Sequence, residues 1–292
     1  MLLPKFDFHE PHTIDEACQI LAEYGVKARP IAGGTDLMVN MKKKILSPEH
    51  IVSISRIEEL KKLDTAGSVI RMGACFTVSD LTESQEINRL LCALGQGANN
   101  LGTPLIRNLA TIGGNLVSAR PAADLPPALI AYGASAVIRS STGERIVPLD
   151  QFFFGPGFTA LQPNEILTEI QVNTPPPHSG AGYINIGIRK AQDCNLVNAA
   201  SYLSLDASGN IQNARIVMGC VGPIPFRAAS AEKILIGEKP GPDIFARAGI
   251  AASQDCKPID DFRGSAEYKR DMVNVLTRRT LAMAYDEAVN RQ

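Results

Sequence analysis

The amino-terminal part of the chain has the hydrophobic pattern of an amphipathic helix followed by a strand. A capping box at Thr13 and Glu16 precedes apolar residues that share one helical face until Gly25. The apolar stretch 26–32 then predicts a strand. This pattern places a loop directly after residue 32.

The rest of the chain changes repeatedly between the strand period and the helix period. Strands are predicted at residues 51–54, 69–73, 134–139, 166–172, 182–188, 198–206 and 211–217. Helices are predicted at residues 84–98, 125–132, 229–236, 244–253 and 266–288. Because strands and helices are mixed without a regular βαβ repeat, we expect an α+β fold.

A proline-rich segment divides the chain. Residues 174–180 read Thr-Pro-Pro-Pro-His-Ser-Gly, and three consecutive prolines cannot take part in a central β-ladder. A chain of 292 residues is also longer than a typical single domain. We therefore expect one domain over residues 1–176 and a smaller one over 177–292, in which helices cover one face of a sheet.

The composition narrows the classes of function. The net charge is only −1, so no broad basic field favours nucleic acid or anionic lipid. Six cysteines lie far apart, without the spacing of a zinc or iron–sulfur site. The amino terminus lacks the long apolar run of a secretory signal, and no apolar run is long enough to cross a bilayer, so we expect reduced cysteines in the cytoplasm. The four histidines show no metal-ligand or triad spacing, which favours surface positions.

Two glycine pairs occur in closely similar contexts. Each pair follows an apolar stretch and ends in a hydroxyl or amide side chain, which suits the approach of bare main-chain N–H groups to an anion. Either pair alone is more typical of an ordinary turn, whereas two such loops could hold a diphosphate from both sides. The residues are Ala32, Gly33, Gly34, Thr35 and Asp36 in the first segment, and Thr111, Ile112, Gly113, Gly114 and Asn115 in the second.

Other glycine-rich motifs are absent from the sequence. No GxGxxG motif opens a βαβ unit, so the sequence signature of a Rossmann domain is missing. No GxxxxGK motif followed by Ser or Thr marks a P-loop either. No histidine lies in either glycine segment. The two pairs therefore indicate a different kind of nucleotide site.

The sequence around the second pair resembles the FAD-binding medium subunit of the molybdenum hydroxylases, the family of xanthine dehydrogenase and aerobic carbon monoxide dehydrogenase. The resemblance is carried by residues 102–116 and 122–127, by the first glycine segment, and by the motifs at 152–157 and 189–193, and it extends over nearly the whole chain. It implies a flavin-binding domain of the vanillyl-alcohol oxidase (PCMH) type, with two α/β subdomains around FAD, followed by a smaller α/β domain.

The resemblance also implies roles for individual residues. Both glycine segments would bracket the diphosphate of a non-covalent FAD through main-chain amides, with side-chain contacts from Thr35, Thr111 and Asn115. Asp124 matches a carboxylate that binds sugar or ribityl hydroxyls, although an N-cap for the helix at residue 125 is a comparable use. Leu161 matches an apolar position beside the isoalloxazine ring, and a core leucine is the equal alternative.

One position departs from the family. Many relatives carry a lysine four residues before the arginine that matches Arg189, whereas this chain has Asn185 there. An asparagine donates a hydrogen bond without a full positive charge, so the flavin potential and the electron acceptor remain open. Arg189, Lys190 and Asp193 are interpreted as an ion-pair network at the domain interface.

Arg107 and Asn108 have two possible roles. They either touch the cofactor or position the helix and loop before the second glycine pair, and a structural arginine is the commoner case. The sequence alone does not decide between the two.

The resemblance implies an FAD-carrying subunit of a three-part oxidoreductase. An iron–sulfur small subunit would deliver electrons to the flavin, a molybdopterin-binding large subunit would oxidise the organic substrate, and an external acceptor would take the electrons. Molybdopterin and iron–sulfur clusters are thus expected on partner subunits only. One alternative is a self-sufficient FAD-dependent oxidase or dehydrogenase, and another is a scaffold subunit that has lost its flavin.

Overall fold

The computed structural model describes residues 3–189 and 192–291. The strands are Asp7–His9 (β1), Ala28–Ile31 (β2), His50–Ser53 (β3), Leu63–Asp64 (β4), Val69–Gly73 (β5), Ser135–Ser140 (β6), Gly143–Pro148 (β7), Phe153–Gly155 (β8), Phe158–Thr159 (β9), Ile166–Asn173 (β10), Ser179–Ile186 (β11), Val197–Leu205 (β12), Ile211–Gly219 (β13) and Phe226–Arg227 (β14). The helices are Ile14–Tyr24 (α1), Leu37–Lys42 (α2), Val78–Glu83 (α3), Gln85–Leu90 (α4), Cys92–Asn100 (α5), Pro104–Arg107 (α6), Ile112–Val117 (α7), Leu125–Ala131 (α8), Ala229–Leu235 (α9), Pro242–Asp255 (α10) and Ala266–Asn290 (α11).

A small parallel sheet with the order β1-β3-β2 forms the first subdomain. Helix α1 packs on it, and the predicted capping box is confirmed, because Thr13 and Glu16 bond each other's main chain. Gly25 ends the helix with φ of 52°, a value that favours glycine. The apolar face of α1 is buried, as predicted; it consists of Ile14, Ala17, Cys18 and Leu21.

An antiparallel sheet with the order β4-β5-β10-β6-β7 forms the second subdomain, together with α3 to α8. The prediction of a single helix at residues 84–98 is wrong, because the structure has two helices there, α4 and α5. Leu91 has φ of −130° and ψ of 53°, which separates α4 from α5. Leu91 is fully buried at this break, and the break directs α5 onto strand β11 of the following sheet.

The carboxy-terminal part contains an antiparallel sheet with the order β11-β12-β13-β14. Helix α11 packs on β11 and β12, and α9 packs on β13, as the sequence predicts. Helices α5 and α8 of the second subdomain also contact this sheet, so apolar residues from both parts, such as Leu129 and Val217, share one core. The proline-rich connection between β10 and β11 is where the sequence predicts the domain boundary.

The α+β class and the two-subdomain architecture predicted from the sequence are thus confirmed. Across the described residues, every helix is too short or too polar to traverse a lipid bilayer. All six cysteines are free thiols.

Candidate functional site

The two glycine segments lie against each other between the two subdomains. The first segment follows β2 of the first subdomain, and the second forms the start of α7 in the second. A Cβ placed on Gly33 would come within 1.6 Å of the carbonyl oxygen of Leu109. Gly33 therefore has to be glycine for the two subdomains to meet at this point.

The first segment carries a run of free main-chain donors. The N–H groups of Gly33, Gly34, Thr35 and Asp36 have no hydrogen-bond acceptor among the described residues. Gly34 has φ of 71°, in the left-handed region that other residues disfavour. Successive N–H groups next to such a residue form a concavity that suits an anion. Gly33, Gly34 and Thr35 are half-buried, so these donors sit at a partly shielded surface.

The second segment differs from the sequence expectation, because its main-chain N–H groups are already bound within the protein. Thr111 is the N-cap of α7, and its hydroxyl accepts a hydrogen bond from the N–H of Gly114 at 3.0 Å. The N–H of Gly113 donates to the carbonyl of Ala74 at 2.9 Å, and that of Asn115 donates to Thr111 at 3.0 Å. In the structure these amides donate to Ala74 or within the first turn of helix α7, so their donation to a diphosphate stays a prediction.

Protein atoms explain the small size of the second glycine pair. A Cβ on Gly113 would lie 2.7 Å from both the Cβ and the carbonyl oxygen of Ala74, and one on Gly114 would lie 2.9 Å from the Thr111 hydroxyl. The sequence interpretation attributed this requirement to phosphate. At Gly113, close packing of α7 against Ala74 already excludes any side chain.

A cleft with a cavity volume of about 90 Å³ opens between the subdomains beside both segments. Its wall is largely apolar, and it brings Leu161 next to Ala32 and the second glycine pair. Glu165 also faces the cleft; its carboxylate is bound by the Arg145 guanidinium at 2.7 and 2.8 Å, which holds the pKa of Glu165 below its usual range. The lining residues are Pro30, Ala32, Ile54, Ala74, Gly113, Gly114, Val117, Leu161, Glu165, Ile166 and Leu167.

Asn115 supplies an unsatisfied polar atom in the second segment. Its side-chain Oδ1 is buried and has no hydrogen-bond partner among the described residues. A buried acceptor without a donor costs about 1–3 kcal/mol, so a donor group from a bound ligand would stabilise this side chain. This atom and the free donors at residues 33–36 fit a nucleotide that carries both phosphates and hydrogen-bond donors.

Asp124 is buried in a polar cluster between α8 and the carboxy-terminal sheet. The alternative use as an N-cap is wrong, because its side chain makes no capping hydrogen bond. Instead, Oδ1 accepts hydrogen bonds from Asn100 Nδ2 at 2.7 Å, Tyr183 Oη at 2.8 Å and Asn195 Nδ2 at 2.7 Å. Burial raises the pKa of the Asp124 carboxyl, and the three donors oppose that rise.

Asn185 belongs to the same cluster. Its Nδ2 donates to Oδ1 of Asn195 at 2.8 Å, and Asn195 in turn donates to Asp124. The structure therefore connects Asn185 with Asp124 through one intervening side chain. Asn100 and Asn195 were missed in the sequence, because no local pattern distinguishes a buried asparagine from a loop asparagine.

Arg107 and Asn108 have structural contacts. Arg107 Nη1 donates to the carbonyls of Asn99 and Leu101 at 3.2 and 3.1 Å, and Asn108 Oδ1 accepts from the hydroxyl of Ser79. The structure favours the positioning role for both residues.

The interface ion-pair network predicted at residues 189–193 is wrong for the residues that can be described. Arg189 Nη2 lies 3.4 Å from Asp193 Oδ1, and both residues belong to the same loop, so the pair is local. Lys190 lies outside the described residues.

Two of the histidines are paired in space, contrary to the sequence expectation. His9 Nε2 lies 3.2 Å from His50 Nδ1, and the ring of His50 stacks on Tyr24 with centroids 3.7 Å apart. The pairing arises because β1 and β3 are neighbours in the parallel sheet.

Comparisons with known proteins establish the class of this site. Residues 4–175 match the family model described as the FAD binding domain in molybdopterin dehydrogenase, and residues 183–284 match the CO dehydrogenase flavoprotein C-terminal domain. The two matches thus define an FAD-binding oxidoreductase subunit. The chain belongs to the FAD-binding medium subunits of the molybdenum hydroxylases, the family of carbon monoxide and xanthine dehydrogenases.

Individual relatives match over almost their whole length. The carbon monoxide dehydrogenase medium chain of Hydrogenophaga pseudoflava is 32% identical, with 98% of this chain and 99% of the relative covered. The xanthine dehydrogenase FAD-binding subunit of Escherichia coli O157:H7 is 30% identical, with 96% and 97% covered. A solved carbon monoxide dehydrogenase structure from H. pseudoflava, lacking the Mo-pyranopterin moiety of its cofactor, superposes with a TM-score of 0.93 at 33% identity, with 98% of this chain and 99% of that chain covered.

Proposed function

We propose that this chain holds FAD non-covalently between its two subdomains, receives electrons from an iron–sulfur small subunit and passes them to an external acceptor. A molybdopterin-binding large subunit of the same complex would oxidise the organic substrate. The single observation that carries the proposal is the run of free main-chain N–H groups at residues 33–36 beside a cleft that both glycine segments line.

The two sides of the proposed site contribute different chemistry. The first segment offers main-chain N–H groups, which bind phosphate oxygens without a side chain. Arg120 Nη2 lies 3.8 Å from Asp36 Oδ1 and adds a positive charge next to these donors. The second segment offers the Thr111 hydroxyl and the Asn115 amide as side-chain ligands, because its main-chain groups are used by helix α7.

The apolar walls suit an aromatic ring system. Leu161 and Leu167 face the cleft, and an apolar wall excludes water from a planar ring packed against it. Bound FAD would convert single electrons into paired transfers. The residues of this chain would bind, orient and shield it, and the proposal needs no side-chain nucleophile.

The cytoplasm remains the proposed location. Free thiols at all six cysteines suit a reducing compartment. The organic substrate is not proposed, because relatives that match almost end to end are named for substrates as different as carbon monoxide and xanthine.

Purification of the full chain, alone and with candidate partner subunits, tests the proposed function. We expect the isolated chain to bind stoichiometric FAD that denaturation releases, and to oxidise no organic substrate by itself. Addition of candidate molybdopterin and iron–sulfur subunits should give substrate-dependent reduction of the flavin absorbance band. A chain that never binds FAD would refute the proposal in favour of a scaffold, and substrate turnover by the isolated chain would favour a self-sufficient oxidase.

A further inference from the structure

Asn195 is the centre of the polar cluster that joins the two parts of the molecule. It is 1% exposed, and its amide uses its full capacity of two donors and two acceptor positions. Nδ2 donates to Asp124 Oδ1 at 2.7 Å and to the carbonyl of Ala122 at 3.1 Å. Oδ1 accepts from Asn185 at 2.8 Å and from Asn100 at 3.4 Å. Asn195 precedes β12, whereas Asp124 and Ala122 precede α8, so these bonds cross from one sheet system to the other.

The bonds to Asp124 are unevenly distributed between its two oxygens. Three donors converge on Oδ1, and none of the described residues donates to Oδ2. Asp124 as a residue is only 7% exposed, but Oδ2 is not one of the buried atoms that lack a partner, so a small group from outside the protein can reach this oxygen. A hydroxyl group is the neutral donor that would satisfy it, and a flavin nucleotide carries hydroxyls on its ribityl chain and ribose.

We propose that Asn195 is a positioning residue for the flavin nucleotide: by fixing Oδ1 of Asp124 it keeps Oδ2 free for a hydroxyl of the nucleotide, and so it makes flavin retention depend on contact between the two domains. This inference rests on the proposed function. It assigns to the carboxy-terminal domain a part in holding the flavin, through a side chain that does not itself touch the cofactor.

Charged and titratable groups surround the cluster on several sides. Burial raises the pKa of Tyr183 and of Cys220, so both remain neutral near neutral pH. Arg263 donates to the carbonyl oxygen of Asn195 at 3.4 Å and is paired with Asp261 at 2.8 Å. Lys269 Nζ lies 3.0 Å from the same Asp261 carboxylate, and Asp193 on the same loop is paired with Arg189. The carboxyl of Asp124 is therefore the group in this cluster whose ionisation responds most directly to a change at Asn195.

The substitution Asn195→Asp tests the inference through a pH profile. At low pH, a proton shared by the introduced carboxyl and Asp124 would replace the lost amide donor, since two adjacent carboxylates cannot both ionise easily. At higher pH the proton is lost, and Asp124 loses its orientation. We expect the Kd of the full-length variant for FAD, measured by flavin fluorescence, to rise about tenfold or more between about pH 5 and about pH 8 relative to the unsubstituted chain.

Matched variants separate this role from a merely structural one. Asn274 lies on α11, and its Oδ1, unlike that of Asn195, is buried without a hydrogen-bond partner among the described residues. Asn274→Asp should lower the melting temperature without making the Kd for FAD depend on pH. A pH profile of Asn195→Asp that is parallel to that of the unsubstituted chain would overturn the inference while leaving the proposed function intact. Failure of the unsubstituted chain to bind FAD would instead count against the proposed function.

A second substitution at the same residue tests the inference if the Asn195→Asp variant does not fold. Asn195→Ser retains one donor but is too short to hold Asp124 and Asn185 together. We expect it to weaken FAD binding about tenfold, with no new pH dependence. An unchanged Kd in a folded Asn195→Ser variant would also overturn the inference.

Discussion

A matched pair of substitutions at Gly34 tests whether the free main-chain donors hold a diphosphate. Asn and Asp have nearly the same size, and both tolerate positive φ better than other side chains. At Gly34, where φ is 71°, the introduced Cβ would approach only flexible side-chain atoms, at 3.1 Å from Ile31 Cδ1 and 3.2 Å from Met38 Cγ. Gly34→Asn and Gly34→Asp therefore carry the same steric cost and differ only by one negative charge.

The magnitude follows from the position of this charge. A carboxylate on residue 34 would lie about 6 Å from an anion bound by the neighbouring N–H groups, and at an effective dielectric of about 20 to 40 the repulsion is about 1.4–2.8 kcal/mol per unit charge. This corresponds to a Kd for FAD about tenfold to a hundredfold higher in Gly34→Asp than in Gly34→Asn.

Titration of the FAD-free proteins with FAD, followed by flavin fluorescence, provides the two dissociation constants. The difference between the variants should shrink as salt is added, because the Debye length falls from about 10 Å at 0.1 M to about 3 Å at 1 M. Equal dissociation constants at low salt would refute the assignment of the diphosphate to this segment. Equal melting temperatures of the two FAD-free variants would show that the comparison is free of a folding difference.

Two further predictions concern Asp124 and Gly33. Because burial raises the pKa of Asp124, its ionisation opposes folding, and stability is lost as pH rises from the unfolded pKa of about 3.9 through the folded value. In melting curves of FAD-free protein, the Asp124→Asn variant should become more stable relative to the unsubstituted chain as pH rises. Its affinity for FAD should fall about tenfold. A difference in stability that stays constant across pH would contradict the argument that burial raises the pKa of Asp124. Gly33→Ala should lower both the melting temperature and FAD content, since its Cβ would fall 1.6 Å from the Leu109 carbonyl oxygen. The control is Gly241→Ala, at an extended residue with no atom within 4 Å of the new Cβ; it should change neither the melting temperature nor the FAD content. If both alanine variants behave alike, the contact of Gly33 with Leu109 does not determine stability or FAD binding.

Local patterns predict the fold of this chain well where neighbours in sequence decide the structure. The capping box at Thr13 and the glycine stop at Gly25 depend on residues within one helix, and both are present. Helix α7 is different, because two glycines in six residues oppose a helix. It forms because Thr111 caps it and Gly113 packs on Ala74, which is far away in the sequence.

The candidate site shows the same limit. The resemblance leads directly to the glycine segments and Asp124, but it does not show which main-chain amides are free. Asn100 and Asn195 reach Asp124 only after helix α5 and the sheet containing β12 have packed on α8. Likewise, His9 and His50 meet because two parallel strands align in register. Each of these contacts depends on tertiary structure, which a one-dimensional pattern does not contain.

The free donors at residues 33–36 have a consequence for tolerance to mutation. Every amino acid except proline has a peptide N–H, so drift of the side chains at Thr35 and Asp36 leaves the number of donors unchanged. A library that randomises these two positions should thus retain most flavin-loaded clones and lose those with proline. This freedom would allow the surface near the proposed FAD site to be redesigned, for example toward a new redox partner, without changing the number of main-chain donors.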